Sequence, residues 1–244
     1  MPINVSGSIL NSSSVTTLSS REIVTRGLKL YVEASAMDSY PQSGTAIYDL
    51  SGNGNTGTLN NSTGFSTSSG GYMTFNGSNQ SITFSSLGTL YTQGTIMFWV
   101  YPSVVSNYNN PVSTHNSGNI GFRWEESTTG PGGSGTFGVV TGNDSGTYTG
   151  FSYFASGFTA SQWYHIAFSW DTSANMVYGY TNAVSAFSSS NTLWPSALSA
   201  PTMGCGFTSR YWNGYLGNMI IYNRILTSTE VTQNFTFQRG RFGI

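Results

Sequence analysis

Short runs of apolar and β-branched residues recur along the chain, divided by clusters of Gly, Asn and Ser, and many alternate with a period of two. Such runs predict β-strands broken by turns. In Thr95-Ile96-Met97-Phe98-Trp99-Val100-Tyr101, Ile96, Phe98 and Val100 share one face while Met97, Trp99 and Tyr101 share the other. This strand must be covered on both faces or present an aromatic surface. Similar patterns predict strands from Leu28 to Glu33, Tyr72 to Phe75, Gln80 to Phe84, Ile120 to Glu125, Thr136 to Val140, Trp163 to Trp170, Val177 to Thr181 and Leu216 to Tyr222. One helix is expected. Thr227 and Glu230 spell a T-x-x-E capping box, Val231 and Phe235 follow at i and i+4 on one face, and Gly240 is placed to end the helix or the turn after it.

The pattern predicts one domain over residues 28–244, with no charged or Pro-rich linker inside it, and a different segment before it. In residues 1–27 the apolar positions Val15, Leu18, Ile23 and Val24 are too sparse for a core. They predict an arm docked on its own domain, a neighbouring copy or another protein; Arg21 to Gly27 could equally be a strand at the sandwich edge. Residues 1–20 have no basic stretch followed by a long apolar run, so no secretory signal is expected. No apolar run reaches the ~18 residues that a membrane-spanning helix needs.

Composition narrows the function. Only 7% of the 244 residues are charged and the formal net charge is -1, against roughly 25% charged in an average soluble protein. The surface must be built from Ser, Thr, Asn, Gln and Gly, with no basic field for a nucleic acid, and a weakly charged surface favours association. The lone Cys205 excludes an intrachain disulfide and is expected to pack as a small apolar residue.

Four islands carry a resemblance. Leu28 to Ala34, followed by Tyr48-Asp49-Leu50-Ser51-Gly52-Asn53-Gly54-Asn55-Thr56-Gly57-Thr58-Leu59, resembles the first strand and D-x-S-G-N-G loop of laminin-G-like, concanavalin-A-like jelly rolls. Tyr72 to Ile82 resembles the next hairpin, turning at Asn76-Gly77. Gln162 to Asp171 is similar to the W-x-H-[VI]-A strand, and Gly214 to Val231 to the final strand and helix. The resemblance implies an all-β fold: a two-sheet antiparallel β-sandwich with one short C-terminal helix. The ending Gln233-Asn234-Phe235, then Arg239-Gly240-Arg241-Phe242-Gly243-Ile244, resembles that of laminin-G-like virion proteins of tailed phages, notably those of cyanobacteria and marine bacteria.

That likeness implies a non-enzymatic structural protein at the capsid surface, a decoration or cement protein. Its arm (Val15, Leu18, Ile23, Val24) and tail (Arg239, Arg241, Phe242) would bind the major capsid protein or other virion proteins, with trimers on three-fold positions. The alternative is a tail or fibre adhesin binding host-surface glycans through rim loops, with Tyr148, Phe151, Tyr153, Trp194, Tyr211 and Trp212 as stacking candidates; Tyr108 and Phe154 share such loop-like segments. These rings could instead fill the core or a subunit interface.

Catalytic patterns are weak. Glycoside hydrolysis needs two facing carboxyls, but Glu125 and Glu126 are adjacent on a predicted strand and so point to opposite faces. The spaced E-x-D-x-x-E strand is absent, as is a Gly-x-Ser-x-Gly elbow. His165 lies in a core strand and is expected to be a hydrogen-bonded structural histidine; His115 reads as a loop residue. Gly130 to Gly135 matches G-x-G-x-x-G but precedes a predicted strand, not the helix a dinucleotide site needs. No cofactor is expected beyond weak calcium, for which Asp49, Asn53 and Asp171 offer hard oxygens. The competing reading is that Asp49 and Asn53 cap loop amides through Asx turns.

Overall fold

A computed structural model describes residues 22–106, 108–114, 121–127, 136–148, 152–155, 158–206 and 210–244. In chain order its strands are β1 (Leu28–Glu33), β2 (Ala46–Ile47), β3 (Gly57–Asn60), β4 (Gly64–Ser66), β5 (Tyr72–Asn76), β6 (Ser81–Thr83), β7 (Gln93–Pro102), β8 (Val112–Ser113) and β9 (Phe122–Ser127). There follow β10 (Thr136–Thr141), β11 (Ser152–Ala155), β12 (Tyr164–Asp171), β13 (Met176–Thr181), β14 (Val184–Ser190), β15 (Thr202–Met203), β16 (Cys205–Gly206), β17 (Arg210–Tyr211) and β18 (Asn213–Tyr222). Helix α1 spans Ser228–Arg239 and runs into a 3-10 turn at Gly240–Phe242.

Two antiparallel sheets face each other. The back sheet runs β14-β13-β12-β7-β18-β5-β4, with β1 also on β18; the front sheet runs β11-β10-β9-β8-β15-β6-β3-β2. The ten residues of β18 pair with β7 on one side and successively with β5 and β1 on the other. Between the sheets lies the main core, including Leu30, Phe98, Trp124, Phe168, Trp170 and Trp212. The expected sandwich with one short C-terminal helix is therefore observed.

Both faces of β7 are covered, which answers its two-sided pattern. Ile96, Phe98 and Val100 enter the inter-sheet core, whereas Met97 and Trp99 lie on the outer face, under α1 and the tail. The capping box forms: Thr227 accepts from the Glu230 N–H while the Glu230 carboxylate accepts from the Thr227 N–H at 2.9 Å. The buried face of α1 is Val231, Asn234, Phe235 and Gln238. Its two amides are bonded: Asn234 accepts from the Val24 N–H and donates to the Tyr222 hydroxyl, and Gln238 accepts from the Trp99 indole and donates to Glu33.

Several expectations change. Asn76-Gly77 does not close a hairpin within one sheet, because β5 belongs to the back sheet and β6 to the front. The loop crosses between them, held by Asn76 Oδ1, which accepts from the N–H groups of Ser78, Asn79 and Gln80. Helix α1 does end at Gly240, its C-cap, but that glycine stays right-handed and leads into the 3-10 turn, and the left-handed conformation is taken by Gly243 at φ 74°. Ile23 to Thr25 do not form an edge strand; they cross the outer face of the back sheet, where Val24 is buried. His165 is buried among Trp99 and Phe235, and neither ring nitrogen has a hydrogen-bond partner among the described residues. Burial lowers its pKa to about 3, so it is a neutral packing group and not the hydrogen-bonded one expected.

Candidate functional site

The outer face of the front sheet follows from strand alternation. Phe122 and Trp124 of β9 enter the core, so Arg123 and Glu125 point outward. The same rule turns Ser113, Thr202, Thr83 and Thr58 outward, since Val112, Met203, Ile82 and Leu59 are core residues. Strand register then lines up Thr58, Thr83, Thr202, Ser113, Arg123 and Val140 across six strands. Hydroxyls dominate one end of this row, where Thr58 and Thr83 are exposed and Asn60 Nδ2 donates to Thr83 at 3.2 Å; Ser113 is fully buried, bonded to Thr202 at 2.8 Å and to the Cys205 carbonyl at 3.2 Å.

Charge is concentrated at the other end. Glu125, 2% exposed, accepts from Arg210 Nη1, lies 3.0 Å from Arg123 Nε and takes a weak 3.4 Å bond from Asn110 Nδ2. The Arg210 guanidinium sits 4.2 Å from the centroid of the Tyr108 ring, within cation–π range. Burial lowers the pKa of Arg123, and neighbouring Arg210 pushes the same way, opposed by Glu125 and by the nearby Tyr148. Tyr108 and Tyr148 are 56% and 61% exposed. Two guanidiniums thus share one carboxylate beside two accessible rings.

The adjacent Glu126 is separate. Its Oε2 accepts from the Ser106 N–H at 3.1 Å and Asn109 Nδ2 at 2.9 Å, clasping the loop that carries Tyr108. Burial raises its pKa to about 8, against those two hydrogen bonds. Glu125 and Glu126 engage different partners, as opposite strand faces require, so they do not form a facing hydrolytic pair.

Of the ring candidates, Tyr148 lies at the cluster. Tyr153 is half-buried on β11, opposite Gly138, which in turn pairs with Glu125. Tyr211 is half-buried beside Arg210, paired with Cys205. Trp194 is half-buried elsewhere, its indole donating to Asn175 at 3.3 Å. Trp212 is corrected: it is fully buried in the core and offers no face to a sugar, and Phe154 is buried likewise. Phe151, His115 and the Gly130 to Gly135 stretch lie outside the described residues. Composition reasoning passed over Arg123 and Arg210. The available signal was the alternation of Arg123 with the core residues Phe122 and Trp124, in a chain with only eight basic residues.

The described residues of the arm and tail lie against the chain's own domain, one of the dockings expected for the arm. Val15 and Leu18 lie outside the described residues, but Ile23 and Val24 pack on the chain's own back sheet. Phe242 stacks on Trp99 at 4.3 Å, Arg241 bonds Glu33 at 2.6 Å and Gly71 at 3.0 Å, and Arg239 bonds the terminal Ile244 oxygen at 2.7 Å. These side chains are occupied within the chain because its end folds back over the back sheet. Among the calcium candidates, the Asp49 oxygens accept from the N–H groups of Tyr31, Ser51 and Asn55 and from the Ser51 hydroxyl. Asn53 donates to the Leu28 and Lys29 carbonyls, latching the loop to β1. Asp171 accepts from the Ser173 hydroxyl and the Ser173 and Ala174 N–H groups, bonds that hold its pKa down, and from Gln93. Cys205 is half-buried, and burial raises its thiol to about 11, so it stays protonated near neutrality.

A family model described as the concanavalin A-like lectin/glucanases superfamily matches residues 76–232. No curated protein matches the chain. Among solved structures, domain 4 of the extracellular GH43 arabinanase AbnA from Geobacillus stearothermophilus, in complex with arabinotriose, is similar at TM-score 0.65 and 19% identity. The match covers 85% of this chain and 97% of that one. The binding domain of Paraclostridial Mosquitocidal Protein 1 is similar at TM-score 0.65 and 17% identity, covering 86% and 52%. The botulinum neurotoxin serotype D ligand-binding domain in complex with N-acetylneuraminic acid is similar at TM-score 0.67 and 11% identity, covering 87% and 51%. The chain spans about half the length of these two toxin domains, and at such identities the likeness is one of fold.

Proposed function

The chain belongs to the concanavalin A-like lectin/glucanases superfamily, and from that premise we propose that it is a non-enzymatic module that binds glycans on the outer face of its front sheet. One observation carries this reading: the exposed rings of Tyr108 and Tyr148 flank a charged cluster on this face, and the exposed hydroxyls of Thr58 and Thr83 lie farther along it. Hydroxyls and amides match sugar hydroxyls, and tyrosine faces match the apolar faces of pyranose rings. The arabinanase domain, whose solved complex holds arabinotriose, is a relative in fold consistent with this use. A binding role, not hydrolysis, is supported by the carboxyls: Glu125 is held by arginines and Glu126 is buried in a loop clasp. No cofactor is assigned, because the oxygens of Asp49 and Asp171 already accept hydrogen bonds.

The test is a glycan array probed with the full chain. A discrete set of bound glycans is expected, weakened in the Tyr108→Ala/Tyr148→Ala double variant; binding to no glycan overturns the reading.

A second reading places the chain on a phage particle as a decoration protein, following the resemblance of its C-terminal ending. The observation that favours it is β14, the outermost strand of the back sheet. Val184-Ser185-Ala186-Phe187-Ser188-Ser189-Ser190 is mostly exposed and carries no charge or proline, so it lacks the usual guards against pairing with a neighbour. Quantitative mass spectrometry of purified virions separates the roles: hundreds of copies per particle support decoration, a few to tens support a tail adhesin, and none removes the virion assignment.

A further inference from the structure

A cleft of about 720 Å³ lies at the end of the sandwich where β7 begins and β18 ends, between the loop that leads into Gln93 and the side chain of Asn223. Its size falls within the ~300–1,000 Å³ of small-molecule sites. Tyr108 follows the other end of β7, past ten residues of strand, or about 30 Å at ~3.3 Å per residue. The cleft is therefore separate from the front-face site proposed above.

None of its lining residues is charged. Leu87, Leu90 and Tyr91 form an apolar wall, half-buried and packed on the main core. Thr89, Thr92, Gln93 and Asn223 are exposed around it. The Thr89 and Thr92 hydroxyls and the Asn223 amide make no hydrogen bond to another described residue. Gln93 Nε2 donates to Asp171 Oδ2 at 2.7 Å. An ionised carboxylate only accepts, so Nε2 must face Asp171, which leaves Gln93 Oε1 for another donor. The neighbouring charges are turned elsewhere: Arg224 pairs with Glu230, and Asp171 also accepts from Ser173 and Ala174.

The walls are fixed through backbone groups, which keeps these side chains available. The Leu87 and Leu90 N–H groups donate to the Leu198 and Ser196 carbonyls at 3.0 and 2.9 Å. The Tyr91 carbonyl accepts from the Trp170 indole and the Thr92 carbonyl from the Thr172 N–H, each at 2.8 Å. On the opposite wall, the Asn223 N–H donates to the Gly27 carbonyl at 2.9 Å. A site already ordered costs a ligand less on binding.

We propose that this cleft is a second carbohydrate site, taking one uncharged sugar residue whose hydroxyls bond Thr89, Thr92, Gln93 and Asn223 and whose C–H face lies on Leu90 and Tyr91. Hydroxyls and amides that donate and accept, beside an apolar wall, match a ring with hydroxyls on its edge and C–H groups on its face. A charged sugar gains nothing from these residues.

The experiment is a titration of the isotopically labelled full chain, followed by NMR, with methyl glucoside, methyl galactoside, methyl mannoside, N-acetylglucosamine and arabinose, and with glucuronate and glycerol as controls. At least one neutral sugar should shift the resonances of Thr89, Thr92, Gln93 and Asn223 saturably. Glucuronate should bind no more tightly than methyl glucoside, and glycerol should not saturate. The Thr92→Val/Asn223→Ala variant changes only exposed side chains, its spectrum reports its own folding, and its affinity should fall at least tenfold. The proposal is overturned if no neutral sugar gives a saturable shift at these residues, if glucuronate is preferred, if glycerol does as well, or if the folded variant binds unchanged. Shifts confined to the surroundings of Tyr108 and Tyr148 overturn this site and leave the front-face reading standing. Shifts confined to the cleft do the reverse.

Discussion

Two buried glutamates lie on the opposite outer faces of the sandwich, and their surroundings differ. On the back face, Glu33 accepts from Arg241 at 2.6 Å, the Ser35 N–H at 3.3 Å, Gln238 at 3.2 Å, and weakly from Asn218 and Tyr31 at 3.4 Å each. One cation meets one anion, and the remaining lone pairs are occupied by neutral donors. On the front face, Glu125 meets two cations, one of them partly open to solvent. A completed network is a clamp, here fastening the tail to β1 and α1. The cluster at Glu125 instead ties β9 to β17 and lies beside the exposed ring of Tyr108. Buried charge alone does not distinguish structure from function.

The back face can be broken at its apolar part. Phe235 stacks on Trp99 at 5.6 Å and is 6% exposed. Phe235→Ala should cost about 3–5 kcal/mol from lost burial and the cavity left behind. Chemical denaturation should show this loss, with the glycan affinity of the molecules still folded unchanged.

The charge asymmetry is sharpened by removing each carboxylate in turn. Glu33→Gln removes the anion that faces one guanidinium and Glu125→Gln the anion that faces two. With Arg241 and Arg210 each partly solvated, both variants should lose about 2–4 kcal/mol, the second more than the first. Equal losses would mean that Arg123 and Arg210 are held chiefly by contacts other than Glu125.

How much of this was readable beforehand depends on how local the information was. The alternation in β7 and β12 and the Thr227 capping box are local, and they located the central strands and the helix correctly. The β14 strand was missed because Ser185, Ser188, Ser189 and Ser190 give almost no apolar signal. The Asn76-Gly77 turn was misassigned because turn chemistry does not tell a hairpin from a crossing between sheets. Only two of the four buried positions of α1 are apolar, so the amide contacts of Asn234 and Gln238 were invisible. The front-face cluster was the least readable part: Arg210 and Glu125 are 85 positions apart and meet through the pairing of β9 with β8 and β8 with β15. Register of that kind is a property of the folded sheets, not of any segment.

A smaller effect separates the two neighbouring front-sheet carboxyls. Glu126 ionises near pH 8 in the folded chain, against an ordinary 4.5. Between these values the folded state holds a proton that the unfolded state has released. Stability contributed by the protonated form is therefore full below about pH 4.5 and is lost as pH rises toward 8. From pH 5.5 to 7.5 the chain should lose about 2.5 kcal/mol at ~1.4 kcal/mol per pKa unit, a loss that Glu126→Gln should largely remove. Parallel pH profiles for the two proteins would show instead that Glu126 is ionised in its clasp.

The smallest change in stability is expected where the effect on binding is largest. Tyr108 is 56% exposed, and its principal described contact is the Arg210 guanidinium over its ring. An exposed cation–π pair contributes only about 0.5–1 kcal/mol, so Tyr108→Ala should barely move the melting temperature. The same substitution removes a ring proposed to lie against the sugar, so affinity should fall by an order of magnitude or more. Phe235→Ala should behave in the opposite way, losing stability without losing affinity. If Tyr108→Ala leaves glycan affinity intact, the front face is only a surface of the sandwich. If it weakens binding with folding preserved, the two faces divide the work: the back holds the fold closed and the front remains open to a ligand.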